Sequence, residues 1–323
     1  GQDAMRGSLA SLAALTFILA APAVARESSV TRARYAMGTV CTVTAADEKQ
    51  VDAAFAEVRR VESLLSTWSD DGELARLNTL RESEVSEELL TLLRETVRWA
   101  DKTRGAFNPL VGSLVRIWNL RGEGTVPAPV ALRTAAAATR LENIEFDGRR
   151  VNLRNGAVVD EGGFGKGYAI DRALALVRGE AVVDFGGQIA VRGRTRVAVS
   201  DPSNRRRPIL EFTLADASLS TSSGAENHFE ADGKRFSHIV DPRTGQALPP
   251  RGSASAIAAD AMTADLLSTA LYVMGVEEGL RWANAHRVAA VFISGDRIHL
   301  SEHFREAIRD LTIVDEDFRL QEK

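Results

Sequence analysis

The segment Asp260–Gly275, DAMTADLLSTALYVMG, constrains this chain more than any other stretch. At helical spacing Asp265, Ser268, Thr269 and Tyr272 fall at i, i+3, i+4 and i+7 and form one polar stripe. The remaining faces are apolar, with Leu266, Leu267, Ala270, Leu271, Val273 and Met274. A solvated stripe carries long Lys, Glu and Arg side chains, whereas this one offers a carboxylate with two hydroxyls beneath it. It reads as the wall of a polar pocket, where oxygen ligands suit a hard cation.

Around this helix the sequence supplies both kinds of secondary structure. Arg34–Ala45 is rich in β-branched residues and reads as a strand interrupted at Met37 and Gly38. Val51, Ala54, Phe55, Val58, Val61, Leu64 and Leu65 recur with a 3.6-residue period, which predicts an amphipathic helix over 48–66. Ser86 caps a second helix that Gly105 stops, and an Ala-rich helix runs to about Leu141. Beyond Asn143 the pattern is mostly β: hairpin signals stand at Asp147-Gly148, Asn155-Gly156, Asp232-Gly233 and Gly295-Asp296, and short strands are expected through about Leu219. Helices are expected from Tyr168 to Val177, from 261 to 274, and on to about Ala285. Strands and helices do not alternate strictly, so the expected class is α+β, with mixed or antiparallel sheets flanked by helices. One catalytic unit over residues 26–323, with room for two subdomains, accounts for the length.

The N-terminus follows different rules. Met5 and Arg6 precede an apolar run from Leu9 to Ala20, then Pro22 and the A-x-A pattern Ala23–Ala25. This predicts a secretory signal peptide and a periplasmic protein, with a retained membrane anchor as the alternative. Residues 1–25 are thus read as a cloning scar, Gly1–Ala4, followed by the leader. Cys41 is the only cysteine, so stability must come from the core, and its strand-like surroundings make it a buried small side chain. The formal net charge of −4 argues against nucleic acid as a partner. Arg205–Arg207 is the one dense basic cluster, read as a solvated loop or as a surface for an acidic partner.

Four further clusters could carry chemistry. Asp160–Gly167, DEGGFGKG, leads from a strand into a helix, where bare glycines, the helix N-terminus and Lys166 suit a phosphate. It fits neither the Walker A spacing nor a dinucleotide fingerprint, and a tight turn with a surface lysine is the alternative. Ser237–Gly245, SHIVDPRTG, presents His238 near the carboxylate of Asp241, or else forms a structural turn around a core histidine. Met37, Trp68 and Phe107 could hold a flat ring by stacking, or be core. The hydroxyls of Ser220–Gly224 lack the surroundings of a hydrolase elbow.

Taken in order, these pieces resemble the ApbE family of FAD:protein FMN transferases. The resemblance rests on Met37–Thr39, LLSTW over Leu64–Trp68, ELARLN over Glu73–Asn78, Gly105–Phe107, Asp160 with GKGYAID over Gly165–Asp171, Gly186-Gly187, Ser237–Gly245, and ADLLSTA over Ala264–Ala270. It implies a Mg²⁺-dependent transfer of FMN from FAD to a Ser or Thr hydroxyl of an acceptor protein, with release of AMP. The implied metal ligands are Asp265, Thr269 and the backbone oxygen of Gly163. Met37, Trp68, Ala106, Phe107, Asn108, Asp160, Lys166 and Ile239 match FAD contacts, and His238 matches the base that activates the acceptor. The implied acceptor is a membrane-bound redox subunit exposed outside the cytoplasm. Two departures are Asn108, where the family usually has Asp, and Glu161, where an apolar residue is common. Alternatives on the same residues are an FAD pyrophosphatase giving FMN and AMP, and a non-catalytic periplasmic flavin-binding protein.

Overall fold

The computed structural model describes residues 29–67, 71–225 and 228–321. The expected leader and scar, and also Trp68, lie outside the described residues.

The strand expected over Arg34–Ala45 is a hairpin. Strands β1 (Val30–Ala36) and β2 (Thr39–Ala45) pair antiparallel. Met37 and Gly38 form the turn at φ 49° and 75°, the hand that matches strand twist. The amphipathic helix is α1 (Glu48–Leu65), started by Asp47, whose carboxylate accepts the Gln50 amide at 2.9 Å. A short helix that carries no separate signal follows as α2 (Glu73–Leu80), then β3 (Glu82–Glu84). Ser86 caps α3 (Glu87–Lys102) as its sequence predicts. Helices α4 (Gly112–Ile117) and α5 (Pro129–Ala138) lead into the hairpin β4 (Ile144–Asp147) and β5 (Arg150–Leu153). Asn155 and Gly156 do form a turn, but no strand pairs back from it. Val158 makes an isolated bridge to Val111 instead.

The second half runs α6 (Gly165–Ala175), β6 (Ala181–Asp184), β7 (Gln188–Asp201), β8 (Asn204–Ser223), β9 (His228–Ala231), β10 (Lys234–Ser237) and β11 (Ser253–Ala258). Helix α7 (Ala261–Ala285) is kinked at Gly275, φ 77°, so the two helices read from the sequence follow one another across that break. Strands β12 (Ala289–Ser294), β13 (Arg297–Leu300), β14 (Arg309–Ile313) and β15 (Arg319–Leu320) complete the chain.

The class is α+β, as expected. A large sheet has the order β1-β2-β6-β7-β8-β11-β12-β13-β15, with β14 added on β8, and its pairs are antiparallel apart from β13 with β15. Strand β11, absent from the sequence reading, sits centrally between β8 and β12. Its sequence is Ala- and Ser-rich, SASAIA, and carries little β propensity, so its burial comes from its neighbours.

Strands β7 and β8 correct the expectation of short strands. They span 14 and 20 residues, and their register breaks between Val191 and Arg194, where Gly193 and Asp216 stand at φ 88° and 44°. Beyond that break Val197, Val199, Leu210 and Phe212 pack with Val291, Ile293 and Ile298 in a core of their own. The larger core lies where α1, α3, α6 and α7 pack on the sheet, among Phe55, Leu93, Phe164, Leu266, Leu271 and Phe292. As the apolar faces of α7 require, Ala264, Leu266, Ala270 and Leu271 are fully buried there.

Candidate active site

Helices α6 and α7 cap one another. No side chain of its own flank caps α6, but Asp265 on α7 accepts the Gly167 amide, the third of that helix, through Oδ2 at 3.0 Å. In return Asp171 on α6 accepts the first two amides of α7, from Ala261 at 2.7 Å and Met262 at 2.8 Å. Gly167 makes this possible: a Cβ there would lie 2.4 Å from the Ala261 carbonyl oxygen and 2.7 Å from Met262 Cα. The glycine in GKG thus serves a close helix contact rather than chain freedom.

This junction borders a cavity of about 620 Å³. Its wall includes Met37, Ala106, Phe107, Asn108, Asp160, Gly163, Lys166, His238, Ile239, Asp265 and Thr269. All the site residues read from the sequence therefore line one space, except Trp68, which lies outside the described residues.

Asp265 is 2% exposed, and burial pushes its carboxyl up to about 6, against the opposing pull of the Gly167 amide and the Lys166 charge. The Gln188 side-chain amide approaches its Oδ1 at 3.4 Å. One turn on, the Thr269 hydroxyl donates to the Asp265 carbonyl at 3.2 Å and meets the Ser222 hydroxyl at 3.4 Å, on the cavity wall. Gly163 brings the glycine loop against this helix: a Cβ there would lie 3.5 Å from Thr269 Cγ2 and 3.2 Å from Phe107 Cε2. Among the described residues no group of three or more His, Cys, Asp or Glu side chains could hold a metal ion, so a cation here depends on one carboxylate, a hydroxyl and backbone oxygen.

The polar stripe of α7 divides in two. Ser268 donates to the Asp265 carbonyl at 2.9 Å and meets Ser220 and Ser222 of β8 at 3.1 and 2.8 Å. The hydroxyls of Ser220–Ser223 thus lie in a strand, where Ser220 and Ser222 fix α7 to the sheet while Thr221 meets Ser255 and Ser223 donates to the Gly252 carbonyl. Tyr272 accepts the Arg251 amide at 3.2 Å and donates to the Pro249 carbonyl at 3.4 Å, so it belongs to the protein interior. Asp265 and Thr269 are the stripe residues on the cavity wall.

On the glycine-loop side, Asp160 accepts the Gly162 amide at 2.9 Å and pairs with Arg121 at 2.5 Å. Glu161 takes the Thr67 hydroxyl at 2.9 Å and the same guanidinium at 3.3 Å. Burial raises the Glu161 carboxyl, the Asp160 charge raises it further, and Arg121 lowers it. The departure at Glu161 is therefore balanced by an arginine from the loop after α4. Phe107 stands edge-on to Phe164, with centroids 6.4 Å apart. Asn108 lines the cavity, but its side chain is engaged in the fold: it donates to Thr139 O and accepts the Leu110 amide, both at 2.8 Å.

His238 follows β10 directly and reaches the cavity. Asp241, read as its possible carboxylate neighbour, serves the turn instead. It accepts the Arg243 amide at 2.9 Å and pairs with that guanidinium at 3.0 Å, while Gly245 closes the turn at φ 77°.

The basic run is the clearest correction. Arg205–Arg207 lies in the first residues of β8 rather than in a loop, with Arg205 and Arg206 exposed as a solvated run would be. Arg207 pairs with Asp315 and Asp317, and Arg205 lines the cavity. Glu62, Arg121, Gln188 and Arg205 are wall residues that the sequence reading missed. Glu62 comes from α1, where it accepts the Met37 amide at 2.7 Å, Arg121 from the loop after α4, and Gln188 and Arg205 from β7 and β8, so tertiary structure brings them together.

The ApbE family model matches residues 37–292. An FAD:protein FMN transferase of Vibrio cholerae is 32% identical to this chain, over 73% of this chain and 76% of that protein. One of Treponema pallidum is also 32% identical, covering 89% and 91%. Among solved structures, the ApbE protein of Thermotoga maritima superposes with a TM-score of 0.81 at 28% identity, over 88% of this chain and 100% of that one. The flavin transferase ApbE of Vibrio cholerae gives 0.74 at 27%, over 87% and 99%.

Proposed function

This chain belongs to the ApbE family, and we propose on that footing that it is a transferase that moves FMN from FAD onto a hydroxyl of an acceptor protein. The observation that carries this reading is the convergence of His238, Lys166, the glycine loop, Asp265 and Thr269 on one cavity.

In the proposed reaction the acceptor Ser or Thr oxygen attacks the FMN phosphorus of FAD. The bond from that phosphorus to the bridging oxygen breaks, its electron pair leaves on AMP, and the hydroxyl proton passes to His238. A hydroxyl is a poor nucleophile at neutral pH, so a positioned base is needed. Lys166, at the second position of α6, sets a full charge beside the helix N-terminus, which favours phosphate oxygens. Met37, Ala106, Phe107, Asn108, Asp160 and Ile239 bound the rest of the wall and would enclose the dinucleotide.

The donor set suits Mg²⁺. It offers hard oxygens in small number, as this ion prefers when phosphate and water complete its shell. Asp265, Thr269 and the Gly163 backbone would hold it. Bound there, it would neutralise charge on the pyrophosphate. The leader-like segment Met5–Ala25 supports an exported enzyme working in the periplasm, whose acceptor would be a membrane-bound redox subunit.

The reading is tested by incubating the purified protein with FAD, Mg²⁺ and an acceptor carrying an exposed Thr, and resolving the products on a denaturing gel. A fluorescent acceptor band is expected, lost in the Asp265→Ala, Thr269→Ala double variant. Retained labelling in that variant would remove the metal assignment.

A further inference from the structure

The backbone fixes where Gln188 meets the cavity. This residue opens β7 directly after Gly186 and Gly187, which hold positive φ of 71° and 136°, a conformation that favours glycine. The corner is clamped on both sides. Asp184 accepts the Gly186 amide at 2.7 Å, the Gln188 carbonyl accepts the Phe185 amide at 2.8 Å, and the Gly187 carbonyl accepts the Thr221 amide of β8 at 2.8 Å. In the antiparallel register Gln188 stands opposite Ser220, so the two side chains leave the sheet on one face. That face meets α7: Ser220 reaches Ser268 at 3.1 Å, and the Gln188 amide nitrogen reaches Asp265 Oδ1 at 3.4 Å. Asp265 and Ser268 are three residues apart and hence neighbours on one side of the helix. The two contacts differ in surroundings. Ser220 and Ser268 are fully buried, whereas Gln188 and Asp265 both stand on the cavity wall.

The Asp265 carboxylate therefore has a donor on each oxygen, the Gly167 amide on Oδ2 and the Gln188 amide on Oδ1. A carboxylate offers about four lone-pair sites, so two donors fix its plane and leave acceptor capacity for a cation. Among the described residues the Gln188 side chain makes no other hydrogen bond, so Asp265 is its one protein partner there. A neutral amide suits that task. An ammonium group would neutralise the charge that the cation needs, and a carboxylate would repel Asp265 whenever the site is empty.

We propose that Gln188 is a positioning residue, which holds Asp265 Oδ1 and so sets the direction in which this carboxylate meets a divalent cation. The inference rests on the reading of Asp265 as a cation ligand and does not depend on which hydroxyl receives FMN. Groups that orient a metal's ligands without touching the metal typically contribute 10- to 100-fold in affinity, about what is at stake here.

The test uses the full chain and Mn²⁺ alone, whose free ion gives an electron paramagnetic resonance signal that binding removes. The parent should bind Mn²⁺ in competition with Mg²⁺. Gln188→Leu should bind it about 10- to 100-fold more weakly, while riboflavin, followed by fluorescence quenching, binds as before. Unchanged Mn²⁺ affinity in Gln188→Leu would overturn the assignment. So would an equal loss of Mn²⁺ and riboflavin, which would make Gln188 a residue of the fold alone. Gln188→Glu gives a second reading. In chelator at pH 8 its added charge faces Asp265, so it should melt below the parent, and Mn²⁺ should remove the difference. A melt in chelator equal to the parent's would contradict the contact between position 188 and Asp265. If the parent binds no Mn²⁺, the cation reading falls and this inference with it. If it binds Mn²⁺ through Asp265 and Gln188 yet labels no acceptor, the inference holds and the transferase reading fails.

Discussion

Replacing Gly167 with Ala probes the contact that positions Asp265. The added Cβ would lie 2.4 Å from the Ala261 carbonyl oxygen, whereas ordinary contact begins near 3.4 Å, so α6 and the start of α7 must part by about 1 Å. That movement stretches the Gly167 amide bond to Asp265 from 3.0 Å to about 4 Å and loosens the two Asp171 caps. Overpacking costs about 1–3 kcal/mol, and losing a hydrogen bond to a buried carboxylate about 1.5–3 kcal/mol. Better helix propensity returns about 1 kcal/mol. The net loss is about 3 kcal/mol, or about 4–5 °C in melting temperature for a chain of this length. Calorimetric melts of Gly167→Ala and Gly165→Ala give the comparison. Gly165 lies in the same helical turn, but its Cβ would crowd only Glu161 Cβ and Cγ, at 3.2 and 3.3 Å, an overlap of a few tenths of an ångström against about 1 Å, so its variant should melt well above Gly167→Ala. If Gly167→Ala melts as high as Gly165→Ala, the close contact does not position the site.

Three other outcomes are expected. Asp265→Asn removes a fully desolvated charge while keeping an acceptor for the Gly167 amide, so in chelator at pH 8 it should melt no lower than the parent, and Mg²⁺ with FAD should raise the melting temperature of the parent alone. A variant still protected by Mg²⁺ would place the ion elsewhere. Burial pushes the Cys41 thiol up to about 12 from 9.0, with a weaker opposing effect from the Ala36 carbonyl. The folded protein therefore holds this proton more tightly, a stabilisation present below about pH 9 and lost as pH rises towards 12. At pH 8 the native thiolate fraction is about 10⁻⁴, and iodoacetamide should label Cys41 only after denaturation; fast native labelling would contradict the burial. His238→Ala should bind FAD nearly as the parent does but transfer FMN about 10²- to 10⁴-fold more slowly, and equal losses in affinity and rate would make the histidine structural.

Sequence patterns reached different parts of the molecule to different depths. Elements whose signal is local were legible: the stripe of α1, the Ser86 cap of α3, and the Asp147-Gly148 and Gly295-Asp296 turns all stand where their residues predict. Strand β11 was not, because SASAIA has a single β-branched residue among small side chains and becomes a central strand through pairing on both edges. The same limit applied to Asn155-Gly156, where the turn forms but the partner strand that would make a hairpin does not follow. In the site, the stripe on α7 pointed to Asp265 and Thr269, but the sequence could not tell them from Ser268 and Tyr272. Periodicity places residues on a face and does not say which half of that face meets a cavity. Arg205 was hidden for another reason. Three consecutive arginines look alike in a sequence, and only the fold shows that Arg205 lines the cavity while Arg207 pairs with Asp315.

The most direct measurement counts products in one reaction. The protein is incubated with FAD, Mg²⁺ and a Thr-bearing acceptor; AMP is quantified by chromatography and acceptor-bound FMN by intact-mass spectrometry. The account predicts one FMN on the acceptor for each AMP released, with little AMP when the acceptor is left out. AMP formed at the same rate without acceptor, and no flavin on the acceptor when it is present, would contradict it and make the protein a pyrophosphatase.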